Sequence, residues 1–396
     1  MTKLRLSLLA FLLIGLLAAC GEGAATTAPT ANTAAAPTVA PTYEVDDPAV
    51  TDVPAAATTA PASGGAVDPS KLSPELRVFA WGEYIPEDVP AKFEEEFGVK
   101  VTIDTYSSNE EMAAKIRAGN SGYDLIMPSD YMVALLAEGG YLAAINPANI
   151  PNLANLNPEN LGLYYDPANT FSVPYMWGTT GIAYDKTVVT PAPDSWAVLF
   201  DPAQVGQYKG RVSMLNDERE AIGAALRFVG NDINSTTPAD LEAAKAALLA
   251  QKPFLAKYNS DNVYQDLASG EVVLAQSWSG YTGLAMVDNP NIEWVIPKEG
   301  GVIWQDTMAI VSGTPNQYTA EVFIDFMLRP EIGASVADFT YFLTPNTKAE
   351  PLVSPELQAL YAKLVPDAAT RTRLEWLRKG DNATLYSDIW AAVKSE

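Results

Sequence analysis

The chain has 396 residues, and its 48 acidic and 25 basic residues give a formal net charge of −23 at pH 7. This charge argues against nucleic-acid binding, whose affinity comes largely from Lys and Arg at phosphates. Histidine is absent, which excludes Ser-His-Asp triads and removes the commonest general base and zinc ligand. With Cys20 as the single cysteine, disulfides and cysteine-ligated metals within the folded body are excluded as well.

Residues 1–20 carry a targeting pattern. Lys3 and Arg5 precede an apolar run that is too short to span a bilayer comfortably, and small residues lead into Cys20. The pattern resembles a bacterial lipoprotein signal peptide, in which Cys20 becomes the lipidated first residue. An ordinary secretory signal that happens to contain Cys20 is the alternative. Residues 21–74 are rich in Ala, Thr and Pro and are predicted to form a disordered tether.

From Leu76 onward, strand patterns alternate with amphipathic helix patterns. The predicted strands are LRVFA, VKVTIDTY, YDLIM, YMWGTTGIAYD, GRVSML, EVVLAQSW and GVIWQDTMAIV, and helices such as PEDVPAKFEEEFG and SNEEMAAKIRAG lie between them. This alternation predicts an α/β fold with a mostly parallel sheet. The ligand site of such a sheet lies beyond the carboxyl ends of its strands.

Two clusters follow predicted strands and should meet at this edge. Trp81, Glu83 and Tyr84 come after the first strand, and Ser129, Asp130 and Tyr131 after the third. A carboxylate between two aromatic residues is costly to bury without a partner. Either the first cluster is solvated or a cation binds to it.

Asp217 and Glu220 follow another strand and open a helix. Their spacing is close to a capping box, and acids suit the first turn of a helix. The same two carboxylates would lie on one face and could clamp an ammonium group. The local pattern supports both roles.

Trp304 and Asp306 share one face of a strand by its two-residue period. An acid beside an aromatic ring on a buried face suits an amine, because the carboxylate takes a charge-assisted hydrogen bond and the ring attracts the cation. Taken singly, Trp278, Tyr131 and Tyr175 are more often core residues than site residues.

Several short motifs occur in a fixed order along the chain: FAWGEYIP, TYSSNEEM, YDLIMPSDY, PYMWGTTGIAYD, LNDERE, NSDN, IPKEGG, IWQDTMAI and LTPN. This string of motifs resembles the bacterial spermidine/putrescine-binding proteins, the solute receptors of polyamine ABC transporters. The motifs extend from about Leu76 to about Trp376. No single motif is specific, but the whole string is.

The resemblance implies a two-lobed periplasmic-binding-protein fold of type II, with the ligand in the interlobe cleft. Lobe 1 would comprise 75–181 plus 306–345, and lobe 2 would comprise 182–305 plus 346–396. By position, the family's ligand-binding residues fall on Trp81, Glu83, Tyr84, Tyr131, Asp217, Glu220, Ser260, Trp278, Trp304 and Asp306. Asp306 would take an ammonium in mid-cleft and Asp217 with Glu220 one end of the ligand, while the aromatic rings would contact its methylene groups.

Four positions depart from the family pattern. Gly82 replaces a hydroxyl residue, and Asp130 replaces a small hydroxyl residue. Phe342 stands where a ligand-contacting tyrosine is expected, and Leu377 replaces a polar contact. Tyr341 could substitute at the third position if its loop shifted.

The resemblance predicts a receptor that is not an enzyme and needs no cofactor or metal. It would capture spermidine or putrescine outside the cytoplasm and deliver it to ABC permease subunits, as a monomer anchored to the membrane surface by lipid. Two alternatives remain open from the residues. One is a glycoside hydrolase using paired carboxylates such as Asp217 or Glu220 with Asp306. The other is a receptor for ferric iron or another small cation.

Overall fold

The structure is a computed structural model that describes residues 67–378 and 383–395. The predicted signal peptide, the lipidation site Cys20 and the predicted tether up to residue 66 lie outside the described residues. Residues 67–74, the last part of the predicted tether, contact the body instead. The backbone N–H of Asp68 donates to the Tyr318 hydroxyl at 2.8 Å, and that of Ser73 donates to the Thr319 hydroxyl at 2.8 Å.

The described strands form one ten-stranded sheet. They are β1 (Glu75–Trp81), β2 (Lys100–Tyr106), β3 (Leu125–Ile126), β4 (Ser172–Asp185), β5 (Val212–Met214), β6 (Lys257–Tyr258), β7 (Leu274–Trp278), β8 (Ile292–Val295), β9 (Gly301–Ile310) and β10 (Leu374–Trp376). The order is β2-β1-β3-β9-β4-β7-β5-β6, with β10 beside β9 and β8 beside β4.

Helices cover the sheet on both sides of its centre. They are α1 (Asp88–Phe97), α2 (Asn109–Arg117), α3 (Asp130–Glu138), α4 (Ala197–Phe200), α5 (Pro202–Val205), α6 (Glu218–Phe228), α7 (Pro238–Gln251), α8 (Val263–Ser269), α9 (Ser279–Asp288), α10 (Gln317–Met327), α11 (Pro330–Thr340), α12 (Pro355–Leu364), α13 (Ala368–Arg371) and α14 (Ala383–Ser395). Two predicted helix boundaries are found in the structure. Gly98, with φ +68°, ends α1, and the Ser108 hydroxyl accepts from the Glu111 N–H at the start of α2.

The centre of the sheet differs from the expected parallel arrangement. On one side β1 is parallel to β2 and β3, and on the other β5 is parallel to β6 and β7. Between them, β4 runs antiparallel to β7, β8 and β9, and β9 runs antiparallel to β3. The reason is that the chain crosses the centre once in each direction, along β4 and back along β9.

The two crossing strands separate two groups of packed helices and strands. One core contains Phe93, Phe323 and Phe326 beneath β1 and β9, while another contains Trp196 and Phe200 beneath β5 and β7. Burial of such large apolar side chains supplies most of the stability of each group. The predicted α/β fold class is confirmed by this sheet and its helices. The residue boundaries predicted for the two lobes stay a prediction.

Candidate ligand-binding cleft

A cleft of about 460 Å³ opens where β1, β3, β5 and β7 end, beside the middle of β9. Its volume lies within the range of small-molecule sites. All of the predicted site residues line it: Trp81, Glu83, Tyr84, Ser129, Asp130, Tyr131, Asp217, Glu220, Ser260, Trp278, Trp304 and Asp306. Their contacts to a ligand stay a prediction.

Asp306 lies in mid-cleft and is only 4% exposed. One carboxylate oxygen, Oδ2, accepts a hydrogen bond from the Tyr84 hydroxyl, whereas Oδ1 has no hydrogen-bond partner among the described residues. Burial raises the pKa of Asp306 to about 6, although the nearby hydroxyl groups of Ser129 and Tyr84 oppose the rise. The Tyr175 hydroxyl donates to the carbonyl oxygen of Tyr84 at 2.6 Å and so helps hold this loop.

Glu220 is a second buried acid with a free oxygen. Its Oε1 accepts from the Thr180 hydroxyl at 2.8 Å and from the Trp278 indole N–H at 3.1 Å, while Oε2 has no partner in the part of the chain that the structure describes. Burial, and next the charge of Asp217, raise the pKa of Glu220 to about 8. A cation close to Oε2 would satisfy this carboxylate.

Asp217 caps helix α6, and its binding to an ammonium group stays a prediction. Its Oδ1 accepts from the backbone N–H of Arg219 at 2.9 Å and of Glu220 at 3.0 Å, so the predicted helix cap is confirmed. The residue also lines the cleft beside Glu220. Burial raises its pKa.

Asp130 lines the cleft but is only 1% exposed, and its carboxylate binds to the backbone. The N–H of Tyr131 donates to Oδ1 at 2.5 Å, and the N–H of Gln305 donates to Oδ2 at 3.4 Å. Burial raises the pKa of Asp130 well above its usual range. Because both of its oxygens accept backbone bonds, Asp130 offers less to a cation than Asp306 does.

Aromatic rings form the walls of the cleft. Phe342 packs against Trp304 and Tyr281 with ring centroids 5.1 Å and 5.6 Å apart, and Trp278 lies 5.7 Å from Tyr281. Gly178 makes room for one wall, because a Cβ there would lie 2.5 Å from the Trp304 ring. The Trp81 indole N–H donates to the carbonyl oxygen of Met127 at 3.1 Å.

Tyr341 does not take the place of the expected tyrosine. It ends α11 with φ +59°, and its hydroxyl donates to Glu356 at 2.9 Å, so Phe342 and not Tyr341 lines the cleft. Tyr281, which the sequence analysis missed, brings a hydroxyl to the same wall. The available signal was its position three residues after Trp278 at the start of a helix.

The mouth of the cleft holds two further acids, Glu83 and Asp261. Both are exposed, and both line the cleft, the first on the loop after β1 and the second just before α8. Burial raises the pKa of Tyr281, and the charges of Glu83 and Asp261 raise it further, so both carboxylates act on the same hydroxyl. Asp261 was not selected from the sequence. Ser260 beside it accepts from the Asn216 N–H at 2.9 Å.

The described residues that line the cleft are strongly acidic and include neither Lys nor Arg. Its carboxylates are Glu83, Glu111, Asp130, Asp217, Glu220, Asp261 and Asp306. Glu111 binds to the Ser107 N–H and hydroxyl at 3.0 and 2.9 Å. Within 67–378 and 383–395, no group of three or more His, Cys, Asp or Glu is arranged to hold a metal ion. No helix in the same residues is long and apolar enough to cross a membrane.

Residues 89–363 match a family model described as bacterial extracellular solute-binding protein. The chain belongs to this family. The solute-binding protein is 37% identical over 323 residues to the spermidine/putrescine-binding periplasmic protein of Salmonella typhimurium, covering 81% of this chain and 91% of the relative. It is 34% identical over 331 residues to the putrescine/cadaverine-binding protein of Pseudomonas aeruginosa, covering 81% and 93%.

Solved structures agree with these relatives. The spermidine/putrescine ABC transporter substrate-binding protein of Streptococcus pneumoniae matches the solute-binding protein with a TM-score of 0.69 and 33% identity, covering 82% of this chain and 99% of that one. A lipoprotein of Treponema pallidum matches with a TM-score of 0.69 and 29% identity, covering 81% and 100%. The predicted fold and the predicted resemblance to polyamine-binding proteins are therefore confirmed.

The raised pKa of Glu220 predicts how the free energy of unfolding of the ligand-free protein depends on pH. Its carboxyl releases a proton near pH 4.5 when unfolded but near pH 8 when folded, so the folded state binds more protons between these values. The free energy of unfolding should then fall as pH rises from 6 to 8, by at most about 1.4 kcal/mol per pH unit for each proton. Chemical denaturation at several pH values measures this slope.

Glu220→Gln should reduce the slope, and Asp194→Asn, at an exposed carboxylate outside the cleft, should leave it unchanged. Glu110, whose pKa is raised to about 7, titrates in the same window, so the slope should not vanish. A slope that Glu220→Gln does not alter would contradict the assignment.

Proposed function

We propose that this protein is a receptor that captures a polyamine, spermidine or putrescine, and delivers it to the permease of an ABC importer. It acts by binding alone and has no catalytic activity. The relatives from Salmonella typhimurium and Pseudomonas aeruginosa, which are named for binding these amines or cadaverine, support the ligand class. The family supports the transport role.

The observation that carries the proposal is a pair of buried, unpartnered carboxylate oxygens in an aromatic cleft. Within 67–378 and 383–395, no group donates a hydrogen bond to Asp306 Oδ1 or Glu220 Oε2, and no basic side chain lines the cleft. A buried carboxylate without a partner costs several kcal/mol, so a ligand that brings positive charge and N–H donors is favoured over a neutral one. A linear amine also brings methylene groups for the tryptophan and phenylalanine rings.

The arrangement supports a role for each region of the cleft. Asp217 and Glu220 would bind one terminal ammonium, and Asp306, with Tyr84 beside it, an ammonium in the middle. Glu83, with Ser260 and Asp261 nearby, would face the other end of the ligand at the mouth. The methylene groups would contact Trp81, Tyr131, Trp278 and Trp304. Asp130 would hold the backbone of Tyr131 and Gln305, and Ser129 would hold Asp306.

A glycoside hydrolase is the second candidate, because Glu220 has the raised pKa that a general acid needs. Its carboxyl, however, shares the cleft with further acids that a cation neutralises and a sugar does not. Incubation with chromogenic glycosides tests this candidate, and turnover that Glu220→Gln abolishes would overturn the receptor proposal.

Asp306→Asn should weaken spermidine binding more than any other single carboxylate-to-amide change. The substitution removes a charge-assisted hydrogen bond worth about 1.5–3 kcal/mol, which is roughly 10- to 150-fold in Kd. Titration calorimetry measures the loss. Asp194→Asn removes the same charge outside the cleft and should change Kd little. A loss below about threefold for Asp306→Asn would mean that Asp306 does not bind the amine.

Spermidine should bind more tightly than putrescine. Acids lie at three levels of the cleft, namely Asp217 with Glu220, Asp306, and Glu83 with Asp261, and three ammonium groups neutralise more of them than two. The apolar side chains of Phe342 and Leu377 act in the opposite direction, because they offer no hydrogen bond to a long ligand. Competition titrations in one buffer decide the order, and a tenfold preference for putrescine would contradict it.

We further propose that the protein is monomeric and that its two lobes comprise 75–181 plus 306–345 and 182–305 plus 346–396.

We also propose that a lipid on Cys20 holds the protein at the membrane, facing the periplasm or the cell exterior. The Treponema pallidum relative, described as a lipoprotein, supports the anchor. Cys20→Ser should release the protein from the membrane fraction without changing its affinity for spermidine. Equal membrane retention of the variant in cell fractionation would disprove the anchor, and a dimer mass in light scattering would disprove the monomer.

A further inference from the structure

Arg219 is a buried cation that the ligand site does not use. It is the second residue of α6, lies between Asp217 and Glu220 and is only 4% exposed. Its guanidinium carbon lies 4.9 Å from the ring centroid of Tyr131 and 5.3 Å from that of Tyr386. Cation–π contacts of this kind strengthen when they are shielded from water.

The two rings belong to different parts of the molecule. Tyr386 is in α14, which packs against α6, whereas Tyr131 is in α3, which follows β3. In the sheet, β3 and β5 lie on opposite sides of the crossing pair β9 and β4. The contact between Arg219 and Tyr131 therefore bridges the cleft.

The bridge continues on the far side through Glu110, the second residue of α2. The Tyr131 hydroxyl donates to Glu110 Oε1 at 3.1 Å. Arg219 itself donates to the carbonyl oxygen of Arg378 at 3.2 Å, and none of the carboxylates in the described part of the chain lies within 4.0 Å of its nitrogens as a salt bridge. It acts on the nearby acids through its field rather than through an ion pair.

Three carboxylates meet at this bridge, and each responds to Arg219. The pKa of Glu110 is raised by burial, and further by the charges of Asp217 and Glu218 across the cleft, so the two helix starts repel each other. Arg219 lowers the pKa of Glu110, Asp217 and Glu218 alike. It is thus the positive charge that offsets this repulsion.

We propose that Arg219 is a positioning residue that holds the start of α6, with Asp217 and Glu220, against the α3 side of the cleft and so keeps the cleft closed. The part of this inference that concerns ligand release rests on the proposed polyamine function; the part that concerns closure does not. If Arg219 served only to pack α6 on α14 through Tyr386, its loss would lower stability without changing the distance across the cleft.

Closure is tested first, without ligand, by pulsed electron paramagnetic resonance. Spin labels at Lys115→Cys in α2 and Glu242→Cys in α7, in a full chain carrying Cys20→Ser, report the distance across the cleft. Arg219→Met should give a longer and broader distance distribution. Arg329→Met is the matched control, because Arg329 also lies over two rings, Phe97 and Phe326, but on one side of the cleft. An Arg219→Met distribution equal to that of the unsubstituted chain overturns the proposal.

Ligand release is tested next by stopped-flow dissociation of spermidine. Arg219→Met should raise the dissociation rate constant about tenfold, and Arg219→Lys, which keeps the charge but loses the planar stacking, should raise it less. In a Glu110→Gln background the repulsion is reduced, so the effect of Arg219→Met should fall to about threefold or less. The same factor in both backgrounds overturns the coupling across the cleft, since contacts within α6 and α14 do not involve Glu110.

The outcomes separate the two proposals. Failure of the unsubstituted protein to bind spermidine would remove the proposed function and leave the distance measurement valid. If Arg219→Met does not fold, Arg219→Lys provides both measurements, and an unchanged distance and rate for that variant overturn the proposal.

Discussion

Carboxyl groups that are buried without a positive partner determine what the cleft can bind. Asp306 and Glu220 are both buried, yet each has one oxygen that accepts no hydrogen bond from the described residues. Water cannot solvate these atoms fully, and none of the described residues that line the cleft is a Lys or Arg that could neutralise them. The apolar cores offset the free-energy cost of burying these groups. Binding of a cation would remove that cost.

The crossing strands place these charges where a ligand can reach them. β9 carries Trp304 and Asp306 on one face into mid-cleft, and β4 carries Thr180, which donates to Glu220. Gly178 on β4 leaves room for the Trp304 ring. Because both strands run between the two halves of the sheet, side chains from both halves meet at the site. Asp217 both caps α6 and lines the cleft.

Much of this arrangement could be predicted from sequence. Alternating patterns gave the strands and helices around the cleft, the spacing of Trp304 and Asp306 placed both on one face, and the local pattern at Asp217 predicted the helix cap. The antiparallel centre of the sheet could not be predicted from that alternation, because strand direction depends on where the chain crosses. Tyr281 and Asp261 were missed because each is ordinary in its local sequence and reaches the cleft only through tertiary packing. The backbone contacts of the Asp130 oxygens and the outward course of Tyr341 depend on packing in the same way.

The indole of Trp278 has a consequence for spectroscopy. Its N–H is hydrogen-bonded to Glu220, the carboxyl whose charge changes near neutral pH, and Trp81 and Trp304 line the same cleft. Indole emission is sensitive to a charge at such short range and to the exclusion of water. The protein thus carries an intrinsic fluorophore beside a carboxyl group whose pKa is raised to about 8, so its tryptophan emission should respond both to occupancy of the cleft and to protonation of Glu220.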